Sequence, residues 1–172
     1  MNQQPVIFHN PLPHAMRSGL SLGLLFSANF LLSTSSSAFM QVLTYFVIAL
    51  IALSAWRYVC RFRDTESEGT ISFYRAFSYV FLLFFFAALI SAAVKLVYLK
   101  YINTNYLVHM ISATEEVMQQ LNLGEMINDN PSWKSIVNPI NFIMQSTMLD
   151  TLLGALLGLC YAPFVKRTES KH

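Results

Sequence analysis

The chain has 172 residues, of which 55% are hydrophobic and only 12% are charged, whereas soluble domains average about 25% charged residues. So apolar a composition predicts an integral membrane protein, with the lipid bilayer as its solvent. The net charge of +2 is not the dense basic surface of a nucleic-acid-binding protein, so no nucleic-acid partner is expected.

Residues 1–15 are predicted to be a polar leader. Pro5, Pro11 and Pro13 interrupt it. Because proline fixes φ and removes a backbone donor, a regular helix is not expected before about residue 15.

The first two apolar runs are predicted to be an antiparallel pair of membrane spans. Residues 16–34 are just long enough to cross a bilayer, which takes roughly 20 apolar residues. The alternative is a cleaved signal peptide, since Arg17 precedes the apolar run and small residues follow it. The long leader favours a retained span. A short serine-rich turn then leads into the second span, residues 38–56.

The most polar part of the chain separates the second and third spans. Residues 57–72 are predicted to form a loop, and residues 73–99 to form the third span. Ser72 is a predicted N-cap of that span, because its hydroxyl can accept a hydrogen bond from an N–H of the first helical turn. Lys95 and Lys100 lie near its far end.

Residues 102–138 are too polar to cross the bilayer. Apolar side chains recur there at helical spacing, which predicts an amphipathic helix outside the membrane that ends near Gly124. The fourth span is predicted at residues 140–162, followed by a tail at 163–172. The apolar stripe consists of Leu107, Met110, Ile111, Val117, Met118 and Leu121.

The basic residues predict the orientation. Basic residues near span ends stay in the cytoplasm, so both termini and the 57–72 loop are expected on that side. Eight of the eleven basic residues lie there: Arg17, Arg57, Arg61, Arg63, Arg75, Lys166, Arg167 and Lys171.

Short motifs around the 57–72 loop carry a family resemblance. They are Arg63-Asp64, Gly69, Ile71-Ser72-Phe73 and Ala76-Phe77, followed by the tyrosine-rich end of span three. The sequence resembles the bacterial four-span membrane proteins of domain-of-unknown-function family 4199, over about residues 15 to 166. The resemblance implies a small protein of the bacterial inner membrane, and it implies no activity, ligand or catalytic residue. A single glycine, Gly69, stands where paired glycines are common.

Asp150 is the first candidate for a functional residue, because it lies near the middle of the fourth span. A carboxylate at that depth costs about 2.5–3.5 kcal/mol on insertion scales. It must therefore face the bundle interior, be protonated or find a partner. The alternatives are a proton or cation site and a structural hydrogen bond between helices. The candidate partners are Asn29, Gln41, Ser91, Lys95 and Gln145.

Two glycine pairs predict close helix packing. Gly19 and Gly23 lie in span one, and Gly154 and Gly158 lie in span four. Both pairs have the GxxxG spacing that lets backbones approach, and their depths match. Spans one and four are therefore expected to contact each other through these faces. The alternative is that one pair makes a homodimer contact.

The sequence carries no enzyme signature: it has no H-E-x-x-H, no G-x-S-x-G and no phosphate loop. No cofactor and no metal site are expected. The predicted fold is all-α, with four transmembrane helices and an amphipathic extracytoplasmic helix between the third and fourth. The predicted function is a non-enzymatic structural or accessory role through association, with a second copy or a membrane protein partner. The alternative is a small oligomeric transporter or channel that uses Asp150.

Overall fold

The computed structural model describes residues 11–35, 37–66, 71–120 and 138–165. The described elements are helices. In chain order they are α1 (Pro11–Ser33), α2 (Ala38–Glu66), α3 (Phe73–Val97), a π-helical turn (Tyr98–Ile102), α4 (Tyr106–Gln120) and α5 (Pro139–Val165).

Four of these helices, α1, α2, α3 and α5, are long and apolar enough to cross a membrane. Helix α4 is shorter and lies between the third and fourth of them. In lipid, a helix satisfies every backbone polar group within its own segment, which is why apolar runs of this length become helices. The fold is that of an all-α, multi-pass membrane protein, as the sequence predicts.

Helix α3 is the centre of the bundle. Its buried side chains recur from Ala76 to Lys95 and are mostly small or apolar, whereas others, such as Phe81 and Leu89, are exposed. Helices α1 and α5 pack on two different faces of α3. Helix α2 packs mainly on α1, and it contacts α3 and α5 at fewer positions. The bundle therefore depends on α3 for its two largest helix–helix contacts.

Both glycine pairs lie against α3, so the prediction that they contact each other is wrong. A methyl group added to Gly19 or Gly23 would lie 2.8 Å from the Cβ atom of an α3 side chain. At Gly154 it would overlap Phe84, and at Gly158 it would lie 3.2 Å from the ring of Phe77. The GxxxG spacing indicates close approach but does not name the partner, and here α3 is the partner of both helices.

Helix α2 continues to Glu66, ten residues beyond the predicted end of span two at residue 56. Most of the predicted 57–72 loop is therefore helical. Ala55, Val59 and Phe62 are fully buried and recur at helical spacing, so packing of this stripe extends the helix. The charged residues between them obscure the stripe in the sequence.

Helices α1 and α5 also extend beyond their predicted spans. Helix α1 begins at Pro11, before the predicted start, because proline is tolerated in a first helical turn where the N–H groups have no intrahelical partner. Helix α5 continues through Pro163 to Val165. The third span continues to Ile102 through the π-helical turn.

The structure confirms two local predictions. The Ser72 hydroxyl accepts a hydrogen bond from the backbone N–H of Arg75 at 3.4 Å, which makes Ser72 the N-cap of α3. The amphipathic segment forms α4, whose Leu107 and Ile111 are buried, whereas Val117 of the predicted stripe is exposed. The predicted end of that helix near Gly124 lies outside the described residues.

Candidate functional site

Asp150 forms an ion pair with Lys95 inside the bundle. The distance from Lys95 Nζ to Asp150 Oδ2 is 2.9 Å, and Lys95 Nζ also donates a hydrogen bond to Ser146 Oγ at 3.2 Å. The Lys95 side chain is 8% exposed and that of Asp150 is 25% exposed. Of the partners considered from the sequence, Lys95 is therefore the one that Asp150 contacts.

Helical spacing explains the shape of this site. Ser146 and Asp150 are four residues apart on α5, so they lie on one face and both reach the same ammonium group. The Ser146 hydroxyl donates its proton to the Ile143 carbonyl at 3.0 Å, which leaves its oxygen as an acceptor for Lys95. The ammonium also lies 5.8 Å from the centre of the Phe30 ring, within cation–π range.

The electrostatic reason for the pair is the cost of burying a charge. An isolated ammonium or carboxylate in a low-dielectric interior is strongly disfavoured, whereas a paired and hydrogen-bonded one is tolerated. Lys95 lies towards the end of α3, and its long stem lets the charged group reach the carboxylate on α5. The pair thus links α3 and α5 by a polar contact beside their glycine-mediated packing.

The other predicted polar residues have different positions. Asn29 lines the same cavity as the ion pair, and its Oδ1 atom is buried with no hydrogen-bond partner among the described residues. Ser91 is fully buried one turn before Lys95, and its hydroxyl likewise lacks a described partner. Gln41 and Gln145 are exposed on the outer surface of the bundle. The structure therefore brings Asn29, but neither glutamine, to the site.

Ser146 is not among the residues that the sequence predicts at this site. Its signal was available, because a hydroxyl four residues before an intramembrane acid lies on the same helix face.

The ion pair borders a cavity of about 450 Å³ among the four long helices. This is within the roughly 300–1,000 Å³ range of small-molecule pockets. Its walls are mainly apolar, and Asn29, Ser33, Lys95 and Asp150 supply the polar groups. The apolar walls include Phe26, Ile48, Ile51, Phe84, Leu153 and Leu157.

A second polar contact joins the first three helices near the start of α1. His14 Nδ1 lies 2.9 Å from the Tyr79 hydroxyl, and the rings of Phe62 and Tyr79 are stacked with their centres 4.3 Å apart. His14 lies in the predicted polar leader, residues 1–15, and the sequence does not predict this contact. The contact packs the first turn of α1 against α2 and α3.

Within the described ranges, no group of three or more His, Cys, Asp or Glu side chains is arranged to hold a metal ion. Among the described residues that line the cavity, the charged groups are one ammonium and one carboxylate in contact with each other. This arrangement can bind a polar group or stabilise a helix contact.

A family model described as "Protein of unknown function (DUF4199)" matches residues 17–167. The chain belongs to this family. The match includes nearly all of the four long helices, and with them Lys95 and Asp150. The family description names no activity. Searches of the curated proteins and of the solved structures found no match to the chain.

Proposed function

We propose that this protein is a non-enzymatic component of the bacterial inner membrane that acts by associating with a second copy or with another membrane protein. Both termini and the polar segment between α2 and α3 lie in the cytoplasm. The orientation is supported by the distribution of basic residues. The association is supported by the position of Gln145.

Gln145 is exposed on α5, six residues after the helix begins at Pro139. At about 1.5 Å per residue it lies roughly 9 Å along the helix. Its neighbours on the outer surface are large and apolar: Met144 and Met148 are each 66% exposed. An amide facing hydrocarbon lacks hydrogen-bond partners, and a second helix can provide them. The exposed Gln41 on α2 has the same chemistry.

The test is the association of the full-length protein in lipid bilayers. The fraction of dimers is measured by single-molecule photobleaching as the protein-to-lipid ratio changes. Interhelical hydrogen bonds average about 0.6 kcal/mol and reach about 1.7 kcal/mol in membranes, so Gln145→Leu is expected to raise the dimer dissociation constant about threefold to about twentyfold. Met148→Leu is the matched control, because it keeps an exposed apolar side chain on the same helix.

If the partner is another membrane protein and not a second copy, the comparison of wild type, Gln145→Leu and Met148→Leu gives a different result. The wild-type protein then stays monomeric in pure lipid, and a membrane protein co-purifies from native membranes with wild type and Met148→Leu but not with Gln145→Leu. If the protein is monomeric and Gln145→Leu captures the same proteins as wild type, the association proposal is wrong.

The second candidate is a small oligomeric transporter or channel that uses Asp150. The observation in its favour is that Asp150 lines the central cavity and keeps a quarter of its side chain exposed. Its test is ion or proton flux in liposomes, measured with Asp150→Asn alongside the oligomeric state. Flux that disappears while assembly stays intact supports transport, and no flux in the wild-type protein contradicts it.

A further inference from the structure

The central cavity has a polar end and an apolar end. Along α3, Phe84 lies eleven residues before Lys95, which is roughly 16 Å at the helical rise. Along α5, Leu157 lies seven residues after Asp150, which is roughly 10 Å from Asp150 at the helical rise. Because α3 and α5 run antiparallel, Phe84 and Leu157 both lie on the same side of the ion pair. The cavity is therefore amphipathic along the bundle axis.

Among the residues that the structure describes, the polar end carries no net charge. Lys95 and Asp150 compensate each other at 2.9 Å, so an additional charged group would enter a low-dielectric site without a counter-charge of its own. Burying such a charge is strongly unfavourable. The head of a molecule that fits this end is therefore uncharged.

The hydrogen-bonding groups at this end define the head further. Asn29 Oδ1 is an enclosed acceptor with no donor among the described residues. An ammonium group has three N–H donors, and the described acceptors within reach of Lys95 are Asp150 and Ser146. A hydroxyl group both donates and accepts, so it can accept from Lys95, and it can donate to Asn29 when rotation of that side chain turns its buried oxygen towards the cavity.

We propose that the cavity binds an uncharged, single-chain amphiphile with a hydroxyl head. The head lies at Asn29 and Lys95, and the alkyl chain extends between Phe84 and Leu157. The apolar walls and the volume of about 450 Å³ suit one alkyl chain. This ligand site is independent of the association through Gln145, because the glutamine lies on the outer surface.

The probe is dodecanol that carries a photoactivatable diazirine in its chain. Full-length protein in phosphatidylcholine nanodiscs is irradiated with this probe, and the labelled residues are located by mass spectrometry. Dodecanesulfonate and dodecyltrimethylammonium with the same diazirine are the matched charged probes, because neither can become neutral by gaining or losing a proton in the membrane. The expected result is saturable labelling of cavity residues on α3 and α5, at least fivefold stronger with the alcohol than with either charged probe.

Two variants test the position of the site. Ala52 lines the cavity, and Ala52→Leu fills part of it while keeping the backbone carbonyl that accepts the Tyr161 hydroxyl. Labelling of the Ala52→Leu variant is expected to be about tenfold weaker than labelling of wild type. Ala49→Leu is the control, since Ala49 is exposed on the same helix. Asn29→Ala removes the acceptor and is expected to lower labelling about fivefold, the effect of losing one hydrogen bond.

Three results overturn the proposal: equal labelling by the three probes, stronger labelling by a charged probe, or labelling of Ala52→Leu equal to that of Ala49→Leu. If Ala52→Leu does not fold, competition in the wild-type protein decides. In that case unlabelled dodecanol is expected to reduce labelling by the probe with a saturable dose dependence. If unlabelled dodecanol does not reduce the labelling, the cavity is not a defined binding site.

Discussion

Removing one member of the Lys95–Asp150 pair should destabilise the bundle far more than removing both. At the observed distance of 2.9 Å and an effective dielectric constant of about 20, two opposite unit charges attract by about 6 kcal/mol. Desolvation of the two groups offsets much of this attraction, so the pair itself adds little net stability. A single substitution loses the attraction and leaves a buried charge.

The two single variants should lose different amounts of free energy of unfolding. Asp150→Leu leaves the ammonium of Lys95, whose side chain is 8% exposed, and the expected loss is about 3 kcal/mol, the lower end of the range for breaking buried pairs. Lys95→Met leaves a carboxylate whose side chain is 25% exposed, and the expected loss is about 2 kcal/mol because that group is more easily solvated. The double variant should lie within about 1 kcal/mol of wild type.

The assay is reversible unfolding in mixed micelles, monitored by circular dichroism, with the free energy of unfolding compared across wild type, both single variants and the double variant. The coupling energy from this cycle isolates the pair. The contradicting result is a double variant whose loss in free energy of unfolding equals the sum of the two single losses. Such additivity would mean that the two charges do not interact in the folded protein.

Three further predictions follow from the packing and the charge distribution. Gly154→Ala should destabilise the protein by about 2 kcal/mol, since its methyl group overlaps an α3 side chain. Gly158→Ala should cost less than about 1 kcal/mol, because its contact is longer and involves a ring edge; equal losses by unfolding assay would contradict this packing. Tyr79→Phe removes the hydroxyl bonded to the histidine of α1 and should lower the free energy of unfolding by about 1 kcal/mol, whereas an unchanged value would show that the bond adds no stability. In a chain whose native cysteines are replaced by serine, Lys134→Cys should react with an impermeant maleimide in intact cells and Lys171→Cys only after permeabilisation; the reverse pattern would invert the proposed orientation.

The sequence predicts the number and order of the spans because the apolar runs are long and the polar segments between them are distinct. It predicts α2 less well. The stripe of Ala55, Val59 and Phe62 that extends this helix lies among basic residues. Hydropathy therefore ends the span at residue 56, whereas packing continues the helix to Glu66.

The candidate site could be predicted only in part. The depth of Asp150 indicates that it needs a partner, and Lys95 is among the residues within reach. The choice of Lys95 depends on how α5 is rotated against α3. That rotation follows from the close contact between Gly154 and Phe84, and a GxxxG pattern does not identify the facing helix. The cavity depends on the placement of all four long helices, so no local pattern predicts it.

The arrangement of α3 and α5 around the ion pair is tested most directly by a distance measurement in the membrane. Solid-state NMR on protein in lipid bilayers, with ¹⁵N-labelled lysine and ¹³C-labelled aspartate, gives the distance from Lys95 Nζ to Asp150 Cγ. Lys95→Met identifies the signal by its loss. The 2.9 Å contact between Nζ and Oδ2 predicts a distance of about 4 Å or less. A distance beyond about 6 Å, which no direct hydrogen bond spans, would contradict the ion pair and the bundle built around it.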